Sequence, residues 1–287
     1  MLLTVITLWS LNLTVTRYIL THGFQPLAYS TVRYALAAVV FVVIVVTSER
    51  TLRIARQDLP LVLVAIGALW LNQLGFVYAL KTTSASVVAL ILAATPLFAA
   101  LIGLATHTER LTPRFWAGAA ISFLGVGLVA LGAGGEVRGD LGGVLLGIVT
   151  AATWATYSSA VTPLMRRYSP YRISAVVLSA AWVLIGLSGS EQTRSQDWAL
   201  GAEVWALLVF AALGPLVLTN VLWFRSLDRI GPSKATLAAN LQPFVAAVFA
   251  VVLLSETLAA PQVAGGALIA AGILLARRRR PPPVPVD

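Results

Sequence analysis

Cysteine is absent from the 287 residues, which removes disulfide frameworks and thiolate metal sites. There are two histidines, His22 and His107, both at the ends of apolar runs. They leave little from which to build a metal cluster or an intramembrane Ser–His pair, so neither a metal nor another cofactor is expected. The glycine-rich run from Gly132 to Gly143 lacks the Gly-Lys-Ser/Thr close of a phosphate loop. Enzyme signatures are therefore missing. Charge is scarce too, at 11% of residues, where a soluble domain averages about 25%. All eleven carboxylates lie at or beyond the ends of the apolar runs. An acid at mid-membrane depth would be a functional candidate by default. Without one, facilitated movement down a solute gradient is expected rather than carboxylate-driven proton exchange.

What the chain has in excess is hydrocarbon. Hydrophobic residues make up 59% and the mean hydropathy is +0.88. The apolar residues come in uninterrupted runs near the roughly 20 residues that a helix needs to cross about 30 Å of lipid. Ten such runs are predicted, at 2–21, 26–47, 59–80, 84–106, 113–133, 141–162, 173–189, 203–224, 232–254 and 260–276. They read as helices, because lipid cannot satisfy open backbone groups and no alternating barrel pattern is present. The expected fold class is all-α: a polytopic membrane protein with no soluble domain. The connections are short; the longest, 189–202, has room for a surface turn.

The formal charge of +9 would suggest nucleic acid in a soluble protein, but its placement says otherwise. With the N-terminus in the cytoplasm, fifteen of the twenty Lys and Arg fall on cytoplasmic connections and the tail, three fall on the other side, and Arg17 and Arg33 lie within spans. The positive-inside rule then puts both termini in the cytoplasm, and the basic residues serve orientation and lipid headgroups. The first run lacks the basic leader and small-x-small site of a cleavable signal peptide.

An internal repeat organises the whole. Residues 80–111, LKTTSASVVALILAATPLFAALIGLATHTERL, return at 227–258 as LDRIGPSKATLAANLQPFVAAVFAVVLLSETL. A shift of 147 lays Pro96 on Pro243, Glu109 on Glu256 and Gly125 on Gly272, and a shift of 145 lays Trp9 on Trp154. The expected units are 1–135, 139–280 and a Pro-rich extended tail, 281–287. Five spans per unit is an odd number, so the second unit must enter the membrane from the opposite side. The result is an inverted repeat around a central cavity, the arrangement of many secondary transporters.

Several residues are candidates for the work of such a protein. Pro96 and Pro243 sit mid-span, where each frees the carbonyl four residues back, that of Leu92 or Ala239; each is a hinge or a packing kink. Glu109 and Glu256 end their spans, as gates or as solvated loop acids. Trp9, Asn12, Asn72, Tyr78, Trp154, Tyr157, Asn220, Asn240 and Gln242 are polar or aromatic and lie deep in spans. In lipid an amide needs a partner, so these face the bundle interior. Asn12 follows Trp9 by three, and Tyr157 follows Trp154 by three, which puts each pair on one helix face. They are expected to form two walls of a cavity for a small-molecule substrate; interhelical glue and interfacial aromatics are the alternatives. Arg33, about 10 Å deep at 1.5 Å per residue, meets freed carbonyls, snorkels, or binds a substrate carboxylate. Arg17 is expected to snorkel to headgroups. Small residues in spans five and ten, among them Gly118, Gly125, Gly265 and Gly272, allow close helix approach, within a monomer or across a homodimer face.

Trp9-Ser10-Leu11-Asn12, Arg33-Tyr34-Ala35, Thr83-Ser84-Ala85-Ser86, Pro96, Glu109-Arg110-Leu111-Thr112 and Gly125-Val126-Gly127, with Trp154, Pro243, Glu256 and Gly265 in the second half, give the chain a resemblance. It resembles the drug/metabolite transporter superfamily, specifically the ten-helix EamA-type exporters, over nearly its whole length. The second copy of the Glu-Arg-Leu-Thr turn reads Glu256-Thr257-Leu258-Ala259, a looser match. The resemblance implies a basket of helices in a bacterial-type inner membrane and efflux of amino acids or other small metabolites. Within the superfamily the chain looks most like the aromatic amino acid exporters, with drug, nucleotide-sugar and lipid-headgroup transporters as the alternative.

Overall fold

A computed structural model describes residues 1–106, 113–132, 141–223 and 242–276. Among these residues there is no strand. The helices are α1 (Leu2–Thr21), α2 (Pro26–Ser48), α3 (Leu59–Thr82), α4 (Ala85–Leu92), α5 (Thr95–Ala105), α6 (Pro113–Gly132), α7 (Leu141–Leu164), α8 (Pro170–Ser188), α9 (Ser190–Ser195), α10 (Ala202–Ala212), α11 (Gln242–Leu254) and α12 (Ala260–Ala276). A π-helical turn at Leu213–Leu218 continues α10, so that one rod runs from Ala202 to Trp223. Among the described residues seven helical stretches are long and apolar enough to cross a membrane, with shorter apolar helices at Val245–Leu254 and Ala260–Leu275. The chain is therefore a polytopic all-α membrane protein. Of the ten predicted spans, the ninth is described only from Gln242 onward.

Local chemistry sets several of these boundaries. Proline opens α2, α3, α5 and α8 at the first or second position, where its missing N–H costs nothing. Ser84 and Ser169 cap α4 and α8, accepting from the N–H of Val87 at 3.2 Å and of Arg172 at 3.1 Å. The predicted fourth span is broken between α4 and α5, just ahead of Pro96. The carbonyl of Leu92, which Pro96 deprives of its donor, is taken at 2.7 Å by the hydroxyl of Thr95.

The main helix contacts join the stretch before residue 133 to the stretch after residue 140: α6 on α12, α3 on α7, α2 on α8, and α1 on α11. Neither stretch buries its apolar faces by itself. The glycines of α6 and α12 face each other within the chain. A Cβ on Gly125 would stand 2.6 Å from the Gly265 carbonyl, and one on Gly272 would stand 2.3 Å from that of Gly118. The small residues that could have marked a dimer face are thus used inside the protomer.

The bundle has two ends. At the arginine-rich end Arg172 pairs with Glu49 at 2.8 Å, and Arg167 with Asp58 at 2.7 Å. The opposite end carries the 189–202 connection, which is more than a turn. Gln192 and Gln196 accept from the open N–H groups of Leu27 and Gln25 at 2.8 and 2.7 Å. They cap α2, whose own cap residue, Gln25, gives it no side-chain capping bond and donates instead to the Ser195 hydroxyl at 3.2 Å. Trp198 stacks on Trp205 and sets its edge against Phe24. Arg17, expected at headgroups, instead donates to the carbonyls of Leu80 and Lys81 at 2.5 and 2.9 Å. Lys81 returns the favour to the carbonyl of Leu20 at 2.8 Å. Each cation closes the open C-terminal carbonyls of the other's helix, a nearer partner than lipid.

Candidate functional site

Four aromatic rings meet where α1, α7 and the end of the α10 rod come together. Trp9 sets an edge against Trp154, with ring centroids 6.5 Å apart, and tilts against Trp223 at 5.4 Å. Trp154 in turn tilts against Tyr157 at 5.4 Å. Edge and tilted contacts of this kind hold rings firmly without covering them, and Trp154 keeps 39% of its surface open. The indole N–H of Trp9 donates to the Pro215 carbonyl at 3.2 Å, which fixes the ring's rotation. Next to it, Ser10 donates to the Gln242 carbonyl at 2.9 Å and ties α1 to the start of α11.

One turn along α1 from Trp9, Asn12 meets Arg33. The Asn12 side-chain oxygen accepts from Arg33 Nη2 at 3.2 Å, and Arg33 Nε donates to the Ala211 carbonyl at 3.2 Å. Asn12 and Arg33 are 7% and 4% exposed. The acceptor has a simple origin: Ala211 stands four residues ahead of Pro215, which has no N–H to offer it. The π-wound rod therefore presents two carbonyls to the site, Ala211 to the guanidinium and Pro215 to the indole. Of the fates open to Arg33 in the sequence, the structure shows the freed carbonyl.

The other candidates are placed as follows. Asn72 donates to the Thr150 carbonyl at 2.8 Å and pins α3 to α7, one turn before Trp154. Asn220 donates to the Leu216 carbonyl at 2.5 Å on its own helix, one turn before Trp223. Gln242 is half-buried at the head of α11, with Pro243 next to it. Tyr78 is away from the rings, at the opposite end, where its hydroxyl accepts from Gln192 at 2.6 Å. Glu256 is at that end too. Its carboxylate accepts from the N–H of Ala85 at 2.9 Å and of Ser86 at 3.0 Å, and from the Ser86 hydroxyl. A carboxylate there meets open amide donors and the positive end of α4. Asn240 and Glu109 lie outside the described residues. Among the described residues no group of His, Asp and Glu has the makings of a metal site.

The EamA-like transporter family pattern matches residues 1–131 and again 141–278. The chain belongs to the EamA-like transporter family. Its relatives include an uncharacterized transporter of Archaeoglobus fulgidus, 26% identical over 268 residues and 91% of each chain. Another is a probable amino-acid metabolite efflux pump of Salmonella typhimurium, 27% identical over 278 residues, 92% of this chain and 89% of that one. A crystal structure at 22% identity superposes with a TM-score of 0.66, covering 96% of this chain and 94% of the other; it supports the fold.

For an EamA-like transporter, two parts of the site were hard to see in advance. Pro215 obeys the same rule as Pro96, and applying that rule to the eighth span would have marked Ala211 as an open acceptor. Ser10 gave no signal, because a serine inside a helix most often bonds its own backbone.

Proposed function

We propose that this EamA-like transporter exports amino acids, aromatic or otherwise apolar, and related small metabolites across the inner membrane. The supporting observation is the ring group. Trp9 and Trp154 occupy matching places in the two sequence repeats, and their rings meet at 6.5 Å, with Tyr157 and Trp223 beside them. The open indole of Trp154, 39% exposed, takes a planar or apolar side chain. The Asn12–Arg33 pair one turn away supplies polar recognition. The Salmonella relative's name, a probable amino-acid metabolite efflux pump, points to the same class.

In this reading the units 1–135 and 139–280 form an inverted repeat, and rocking one against the other opens the ring site to each side in turn. Both termini lie in the cytoplasm. Glu256 on α4 then latches the extracytoplasmic end, Pro96 and Pro243 supply hinges, and by the repeat Glu109 serves at the cytoplasmic end. Everted vesicles carrying the protein accumulate labelled phenylalanine or tryptophan, and Trp154→Ala lowers that uptake. No protein-dependent uptake of any amino acid contradicts the reading. If unlabelled drugs or nucleotide sugars compete while amino acids do not, the cargo class is wrong and the transporter architecture stands.

A further inference from the structure

We propose that Arg33 and Asn12 form the anion-recognising half of the cargo site, so that the transported solute must carry a carboxylate. This deepens the function proposed above and rests on it. Arg33 lies seven residues past Pro26 on α2, about 10 Å along the axis at 1.5 Å per residue, and is 4% exposed. The Tyr29 ring lies 5.9 Å from its guanidinium carbon but carries no charge, and a buried cation costs several kcal/mol unless it is paired. Yet all eleven carboxylates of the chain fall at or beyond the ends of the apolar runs in the sequence. Among the described residues the acids that pair with arginine, Glu49 and Asp58, are held at the arginine-rich end by Arg172 and Arg167.

The hydrogen-bond inventory points the same way. A guanidinium has five N–H donors and no acceptor. One of them goes to the Ala211 carbonyl and one to Asn12, and among the described residues the other three meet no acceptor. Asn12 spends its oxygen on Arg33, so its NH2 adds two further donors, also unmatched among the described residues. Among the described residues the fully enclosed side-chain polar atom without a partner is Thr14 Oγ1, so none of these nitrogens is both fully enclosed and unpartnered. Donors gathered without a counter-charge are what a carboxylate completes.

The spacing fits a solute with two ends. Trp9 precedes Asn12 by three residues, and Ala211 precedes Pro215 by four. The ring group and the guanidinium are thus about one helical turn, or ~5 Å, apart. A ring and a carboxylate on one small molecule reach across that distance.

The test uses the full chain, purified in lipid nanodiscs, with binding read from tryptophan fluorescence. Four probes separate the two ideas: 3-phenylpropionate, phenethylamine, 4-methylpentanoate and 3-methylbutylamine. The acids bind at least about tenfold more tightly than the amines, as expected for charge-assisted pairing. Arg33→Gln abolishes that preference. So does Asn12→Asp, which places a carboxylate on Arg33 and fills the site from within, while its unfolding temperature does not fall. Equal binding of acids and amines to the natural protein overturns the proposal. So does an acid preference that survives Asn12→Asp, and so does failure of both acids to bind. A preference for acids with no preference for the phenyl ring leaves Arg33's role intact and defeats the aromatic cargo.

Discussion

Glu256 offers the sharpest perturbation, because the two amides it serves meet no other acceptor among the described residues. Ala85 and Ser86 are the first residues of α4, and the first N–H groups of a helix have no partner inside it. Both residues are fully buried, and both N–H groups end on Glu256. The next two amides are served differently: Val87 donates to the Ser84 side chain at 3.2 Å and Val88 to the Ser84 carbonyl at 3.2 Å. Glu256→Ala therefore strips the cap from two amides and spares two neighbours. Each orphaned buried donor costs about 1–3 kcal/mol, and losing a carboxylate at a helix start costs about 0.3–1 kcal/mol more. Glu256 is half-buried, so water makes good part of the loss, and about 2–4 kcal/mol remains. At ~1.4 kcal/mol per tenfold, exchange at Ala85 and Ser86 speeds up by about 30- to 700-fold. Hydrogen–deuterium exchange in nanodiscs, on overlapping peptides, reads this directly. Ser84→Ala produces the complementary pattern, with Val87 accelerated. If Ala85 and Ser86 exchange as slowly in Glu256→Ala as in the natural protein, Glu256 is not what closes the head of α4, and its place as a latch is lost.

Other outcomes follow from the same geometry. Gly272→Ala puts a methyl 2.3 Å from the Gly118 carbonyl and from Ser122 Oγ, so α6 and α12 must part. The variant loses about 1–3 kcal/mol and melts lower in detergent, whereas Gly127→Ala, with nothing within 4 Å, does not; equal melting of the two contradicts the packing. Trp9→Phe gives up the bond to Pro215, about 1 kcal/mol, and keeps a ring in place, so labelled uptake falls modestly. Trp9→Ala removes the ring and uptake is lost; equal uptake by the two variants would show that the ring plays no part. Flux at a fixed amino acid gradient and clamped membrane potential stays constant as the proton gradient is varied, and a strong dependence would mean that an acid outside the midplane drives transport.

Much of this fold could be read in advance, because lipid demands long apolar helices and little else satisfies it. The break ahead of Pro96 follows from proline chemistry alone, and so does the open Leu92 carbonyl that Thr95 closes. What could not be read is who meets whom. Asn72 is an amide deep in a span, a description that fits a cavity wall and a helix tie equally well; only the position of Thr150 distinguishes them. Arg17 found carbonyls at the end of α3, because α3 happens to finish beside it. Gln192 and Gln196 sit in a polar connection that reads as surface, yet they cap a helix some 170 residues earlier in the chain. Pairing across such distances is set by packing, and packing leaves no periodic mark on the sequence.

The central claim is that two halves of this chain carry a small carboxylate-bearing solute by exposing one site to each side in turn. Counterflow tests it most directly. Purified protein is placed in liposomes loaded with unlabelled phenylalanine and diluted into tracer. A carrier with alternating access draws tracer in above its equilibrium level before it decays, and Trp154→Ala abolishes the overshoot. Tracer that rises to equilibrium without overshoot, or enters no faster than into empty liposomes, contradicts the account.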